Sequence, residues 1–140
     1  MEKRSQNNMS NPHYIIEGRV VEGNKLGRTI GFPTANIDYP KDVILPPEGC
    51  YVTVTVLDGE RKVGLTNVGR RPTVDNLDYC VVENHILDFS GDLYGEVLIV
   101  EFLRFIRPEL KFDSLSAVKE QIEKDLSSLK EYIEELKMES

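Results

Sequence analysis

The sequence predicts a mainly β fold, a small antiparallel barrel closed or covered by one C-terminal helix. Three observations predict it. Short β-branched runs follow one another from Tyr14 to Ile106, separated by glycine, proline and aspartate turns. After Pro108 the apolar residues fall three or four apart, the period of a helix. No helical pattern interrupts the strand candidates, so the βαβ alternation of a Rossmann sheet is absent.

The elements follow in order. Residues 1–13 are polar and read as a disordered lead-in or a cloning remnant, with a single domain over residues 14–137. Tyr14 to Val21 is the first strand. A glycine-punctuated loop runs from Gly23 to Gly31, then Pro33 restricts the backbone of FPTANI. The three prolines of residues 39–49 read as an extended connection. Tyr51 to Leu57 is a strong strand, and Asp58-Gly59 signals a type I′ hairpin, which needs positive φ at both positions. The return strand runs from Arg61 to Val68. A loop over residues 69–78 follows, then strands from Tyr79 to Phe89 and from Tyr94 to Ile106, with a turn at 90–92. Leu115, Val118, Ile122, Leu126, Leu129, Ile133 and Leu136 form one helical stripe. Asp113 or Ser114 can cap its start, and Ser127-Ser128 is a point where it can bend.

Composition narrows the function classes. The chain has 140 residues, 40% hydrophobic and 29% charged, an ordinary globular mix with length enough for a core. Its 17 basic and 24 acidic residues give a net charge of -7, which argues against a non-specific nucleic-acid binder. From Asp113 onward there are 8 acids and 4 lysines, so a basic patch of Lys25, Arg28, Arg70 and Arg71 can survive in the earlier part. No apolar run is long enough to cross a bilayer and none resembles a signal peptide, so the expectation is a cytoplasmic protein without a membrane partner. Cys50 and Cys80 are isolated, with only His13 and His85 to join them. Reduced thiols fit better than a zinc site.

The unusual stretch is residues 23–36. Gly23, Gly27 and Gly31 recur every four residues, with Lys25 and Arg28 beside them. Glycine lets backbone N–H groups approach an anion, so the segment suits phosphate. It is not a Walker A loop, because Pro33 stands where a helix should run. A loop whose glycines only serve turns is an even alternative. Thr34 and Asn36 supply a hydroxyl and an amide carbonyl, and in an extended segment both point the same way. Magnesium prefers such oxygens and is often held by few protein groups plus phosphates. A turn closed by these side chains is the plain structural alternative.

GRTIGFPTAN at 27–36 resembles the signature of the riboflavin kinase (flavokinase) family, including the kinase half of bacterial bifunctional riboflavin kinase/FAD synthetases. The likeness continues through NVGRRPTV at 67–74, VENHILDFSGDLYG at 82–95, FIRPELKFDSL at 105–115 and QIEKD at 121–125. The resemblance implies a six-stranded antiparallel Greek-key barrel with a C-terminal helix. It implies transfer of the γ-phosphoryl of MgATP to the riboflavin 5′-hydroxyl, giving FMN and ADP. By position, Thr34 and Asn36 match the metal-binding pair. Gly23, Lys25, Gly27, Arg28, Gly31, Pro33 and Thr34 match the nucleotide segment, and Glu83 the catalytic glutamate. Arg107 and Phe112 fall, with Glu83, on the flavin side. Residues 69–78 and 107–113 match mobile lids.

Glu83 can also be argued from its strand. It is in phase with Val81, Leu87 and Phe89, and a carboxylate on a partly apolar face has its charged form disfavoured. That suits a general base, although alternation alone favours a water-facing glutamate. His85 shares the phase and reads as structural. Phe102, Phe105 and Phe112 are core candidates as much as flavin contacts, and the seam between barrel and helix is the natural slot for an isoalloxazine ring. The chain has no H-x-G-H motif of an adenylyltransferase, so the expectation is a monomeric stand-alone kinase or the kinase part of a longer protein. The rival readings are a non-catalytic flavin- or nucleotide-binding barrel and a single-strand nucleic-acid barrel. The acidic charge and lack of Trp oppose the latter.

Overall fold

A computed structural model describes residues 14–22, 31–71, 79–89 and 91–139. The expected lead-in at 1–13 lies outside them, as do residues 23–30, with Gly23, Lys25, Gly27 and Arg28, and most of the 69–78 loop. The elements are β1 (Ile15–Val21), β2 (Ala35–Asp38), β3 (Gly49–Leu57), β4 (Glu60–Arg71), β5 (Tyr79–Ile86), β6 (Val97–Arg107) and α1 (Leu115–Glu139). The six strands close a barrel in the order β1-β2-β5-β4-β3-β6, every pairing antiparallel. β3, β4 and β5 are a meander, and β6 returns to lie beside β3, which is a Greek key.

The β3–β4 hairpin turns at Asp58 and Gly59, with φ of 51° and 81°, as a type I′ turn requires. The strand ends differ from the sequence reading. β5 stops at Ile86, because Asp88 takes a left-handed φ of 57° and the chain turns there. β6 starts at Val97, because Gly95, at φ 85°, sits in a turn whose amide bonds back to the Val20 carbonyl. β4 runs on to Arg71, taking residues 69–71 out of the expected loop.

Two apolar clusters fix the architecture. Ile16, Val20, Ile37, Val68, Val82, Leu98, Val100 and Phe102 fill the barrel. Cys50, Val52, Leu65 and Leu129 form a second cluster beneath α1, joined by Phe32, Leu103, Ile106, Leu126, Tyr132 and Ile133. The β3–β6 register shifts twice, between Cys50 and Tyr51 and between Val52 and Thr53. The residues skipped on β6, Ile106 and Leu103, are those that pack in the second cluster. The bulges thus re-aim two apolar side chains from the barrel wall to the helix.

Ser114 caps α1, its hydroxyl accepting the Ala117 amide at 3.1 Å. The helix runs unbroken through Ser127-Ser128. Its centre is pinned: Leu129 is fully buried, and Arg107 Nε and Nη2 donate to the two carboxylate oxygens of Asp125, each at 2.8 Å. The stripe's ends, Leu115 and Leu136, stay exposed.

The barrel interior is not wholly apolar. Thr53, Thr55, Thr66 and Asn84 are all buried, and Asn84 Nδ2 donates to Thr55 Oγ1 and Thr66 Oγ1 at 2.9 Å each. This network fixes which face of β5 points inward. Its neighbours Glu83 and His85 are thereby turned outward, toward β2 and α1.

Candidate active site

Two cavities flank this part of the barrel, one at its mouth and one on the outer face beneath α1, and Thr34 lines both. The first, about 320 Å³, is walled by Val20, Glu22, Pro33, Ile86, Phe89 and Tyr94 among others. Glu22, in its wall, and Gly31, two residues before Pro33, are the described residues on either side of 23–30. Gly31 has φ 78°, a conformation for which glycine carries no steric penalty. The second cavity, about 240 Å³, lies between barrel and helix. Phe32, Leu65, Leu110, Phe112, Val118 and Ile122 give it apolar walls, and Arg71, Glu83, His85, Arg107, Glu109 and Asp125 give it polar ones.

β2 and β5 bring the chemistry together. Ala35 and Ile37 pack into the barrel core, so Thr34 and Asn36 occupy the opposite face. Asn36 pairs with Glu83 across the two strands. Thr34 Oγ1 lies 3.5 Å from Glu83 Oε2. Asn36 Oδ1 is buried with no hydrogen-bond partner among the described residues. An orphaned carbonyl oxygen on the same strand face as a hydroxyl two residues away is a donor pair that suits a hard cation. No cluster of three or more His, Cys, Asp or Glu exists among the described residues. A cation at Thr34 and Asn36 would therefore complete its shell with water and phosphate oxygens, as magnesium does.

Glu83 is largely buried, and burial raises its pKa above the ordinary glutamate range. Arg71 pulls the other way, Glu109 adds to the rise, and the contact from Thr34 opposes it. Arg71 Nη2 stands 3.4 Å from Glu83 Oε1, and Arg71 Nη1 3.3 Å from Glu109 Oε1. Gly69 leaves room for this bridge, since a Cβ there would overlap the Glu109 carboxylate and the Arg71 guanidinium. His85 stacks on Phe32, ring centroids 3.6 Å apart, and its Nδ1 lies 2.8 Å from the Pro33 carbonyl oxygen. Burial lowers the His85 pKa.

The residues singled out from sequence separate into groups. Thr34, Asn36 and Glu83 converge, with Pro33 and Gly31 on the approach to them. Phe112 lines the cavity under α1. Arg107 lines it too, but its guanidinium is committed to Asp125 and to the Pro108 carbonyl. Phe102 is core and Phe105 is half exposed, edge-on to Tyr51. The basic patch is not a bare one: Arg70 pairs with Glu48, Arg71 with Glu83 and Glu109. Sequence reasoning missed Arg71 and Glu109 as partners of Glu83. The one available signal was the tandem arginine at the end of β4, and no spacing rule links 71, 83 and 109.

Comparisons with known proteins bear on the family. The flavokinase model, described as riboflavin kinase, matches residues 10–133. A bifunctional riboflavin kinase/FMN adenylyltransferase of Haemophilus influenzae is 47% identical over 126 residues, covering 89% of this chain and 40% of that protein. A crystal structure described as a macrolide-efflux protein from Streptococcus pneumoniae is 34% identical with a TM-score of 0.78, over 83% of this chain and 38% of that one. The riboflavin kinase of Trypanosoma brucei is 26% identical with a TM-score of 0.62, over 87% of this chain and 80% of that one. The chain thus spans about 40% of the length of the curated relatives it matches first. With a family model running through nearly all of its barrel and helix, this chain belongs to the riboflavin kinase (flavokinase) family.

Proposed function

We propose that this chain transfers the γ-phosphoryl group of MgATP to the 5′-hydroxyl of riboflavin, giving FMN and ADP. The observation that carries the reading is the shared wall. Thr34 borders both cavities, and Glu83 faces it from the cavity under the helix. The cavity lined by Glu22, Pro33 and Thr34 takes the nucleotide, with Gly23, Lys25, Gly27, Arg28, Gly31, Pro33 and Thr34 as its nucleotide-binding residues. The cavity between barrel and helix takes the flavin, its ring against Phe112, Leu65, Val118 and Ile122. Arg107 holds the wall of that cavity in place through Asp125.

The reaction joins the ribityl oxygen to the γ-phosphorus and breaks the bond from that phosphorus to the β–γ bridging oxygen. The hydroxyl proton passes to the Glu83 carboxylate, and ADP leaves. Thr34 and Asn36 would hold a divalent ion, Mg²⁺ by preference for oxygen donors, which when bound neutralises phosphate charge. Because the transition state is loose in most analyses, positioning and charge neutralisation dominate over proton removal.

Incubation with riboflavin, ATP and Mg²⁺, followed by separation of the flavins, tests the reading. FMN should form, and should vanish when the metal is chelated. The adenylyl transfer named for the bifunctional relatives is assigned to no residue here, so FAD should not appear. A folded protein that binds riboflavin yet yields no FMN would replace this reading with the non-catalytic barrel.

A further inference from the structure

We propose that His85 is a positioning residue: it clamps Phe32 and Pro33 so that Thr34 is held where the two cavities meet. The proposal rests on the reading of Thr34 as a nucleotide- and metal-side residue given above.

Residues 31–34 precede β2 and belong to no strand. The β2–β5 pairing begins only at Ala35, opposite Asn84. Pro33 has no N–H to offer a neighbouring strand. The segment that presents Thr34 therefore lacks the ladder bonds that fix the rest of the barrel. His85 supplies two substitutes. Its ring lies on Phe32, centroids 3.6 Å apart and planes 19° apart. Its Nδ1 lies 2.8 Å from the Pro33 carbonyl oxygen. A carbonyl only accepts, so the proton of that bond sits on Nδ1. Both contacts fall on the two residues immediately before Thr34.

His85 is itself firmly placed. It is 9% exposed and pairs with Leu65 on β4. Gly64, beside that pair, lets the strands close up, since a Cβ there would overlap the His85 carbonyl oxygen. Asn84, anchored inward on Thr55 and Thr66, forces His85 and Glu83 onto one outward face. The same strand thus carries Glu83 and the clamp for Thr34. Small displacements of a reacting group can cost on the order of 10²-fold in rate, so a clamp on an otherwise unpaired segment has catalytic consequences.

The test is a double-mutant cycle on MgADP affinity, read by calorimetry, with riboflavin affinity and kcat measured alongside. His85→Phe keeps the ring and loses the donor. It should weaken MgADP binding and lower kcat by about 10–100-fold, the usual effect of losing a residue that orients a ligating group. His85→Asn, whose amide can still donate, should recover part of that loss. In a Thr34→Ala background the His85→Phe effect should largely disappear, because His85 acts through Thr34. Full additivity of the two substitutions would overturn the proposal, as would unchanged MgADP affinity in His85→Phe. Should His85→Phe fail to fold, His85→Gln against His85→Leu gives the same donor comparison, and equal affinities in that pair would overturn it too. A wild-type protein that binds MgADP but makes no FMN sinks the functional reading while leaving this cycle measurable. One that binds no MgADP sinks both.

Discussion

Glu83 sits where burial and charge oppose one another. Burial raises its pKa, and the Arg71 guanidinium at 3.4 Å lowers it without cancelling the rise. As the proposed base it would work only when ionised. The rate should therefore fall as pH drops through a pKa above that of an exposed glutamate, and Glu83→Gln should lose this acid limb. Its kcat should be lower by about 10²–10⁴-fold, the usual contribution of a general base. Thr34→Ala and Asn36→Asp should cost at least as much, since charge neutralisation carries more of a phosphoryl transfer than proton removal. A dead Glu83→Gln beside near-normal Thr34 and Asn36 variants would reverse that ranking. Stability gives a separate check. A carboxyl with a raised folded pKa binds its proton more tightly folded than unfolded. Ionising it therefore costs stability as pH rises from the unfolded pKa through the folded one. At pH 7 Glu83→Gln should melt no lower than wild type. The difference should shrink below about pH 4, where an unfolded glutamate is also protonated. A markedly lower Tm at pH 7 would mean that the ion pair with Arg71 outweighs burial.

The helix is the element whose attachment decides whether the proposed flavin cavity exists. One wall of that cavity is α1, through Val118, Ile122 and Asp125. The helix is held by an apolar seam centred on Leu129 and by the bidentate Arg107–Asp125 pair, whose side chains are 17% and 5% exposed. Gln121 adds a third bond to Asp125 at 3.0 Å. Farther along, Arg104 lies over the Tyr132 ring and pairs with Glu135. These outer contacts are half exposed and contribute little by comparison. Removing one member of a buried pair leaves a charge without its partner, at a cost of about 3–5 kcal/mol. Asp125→Ala should therefore lose stability of that order in urea unfolding. Riboflavin affinity should fall with it, while MgADP affinity holds. Glu135→Ala should cost less than about 1 kcal/mol. An Asp125→Ala protein as stable as wild type would show that the apolar seam alone secures the helix.

At the scale of the whole molecule, what was legible in the sequence was what is local. The hairpin at Asp58-Gly59, the helix stripe and its Ser114 cap each depend on a few neighbouring residues, and each is found. The faces of the strands were harder. YVTVTVL alternates perfectly, yet its threonines line the barrel interior, because Asn84 and Thr66 meet them there. Strand ends at Ile86 and Val97 depend on left-handed residues at Asp88 and Gly95, which alternation does not reveal. In the candidate site, the grouping of Thr34, Asn36 and Glu83 was legible through motifs. The Arg71–Glu83–Glu109 bridge was not, because it joins β4, β5 and the segment after β6. This division has a measurable consequence. The two cavities share Thr34 but are otherwise built from different parts: barrel mouth for one, barrel and helix for the other. Ligand at 100 times its Kd adds about 2.7 kcal/mol of stability, and that stability is felt where the ligand is held. Riboflavin should accordingly slow amide hydrogen exchange through the centre of α1, around Ile122 to Leu129. MgADP should protect β2 and the end of β1 instead, with little effect on the helix. The approach to Thr34, residues 31–34, should be protected by either ligand, since it borders both cavities. Equal protection of α1 by both ligands would mean that the barrel and helix respond as a single unit, and that the partition between a nucleotide mouth and a flavin seam does not hold.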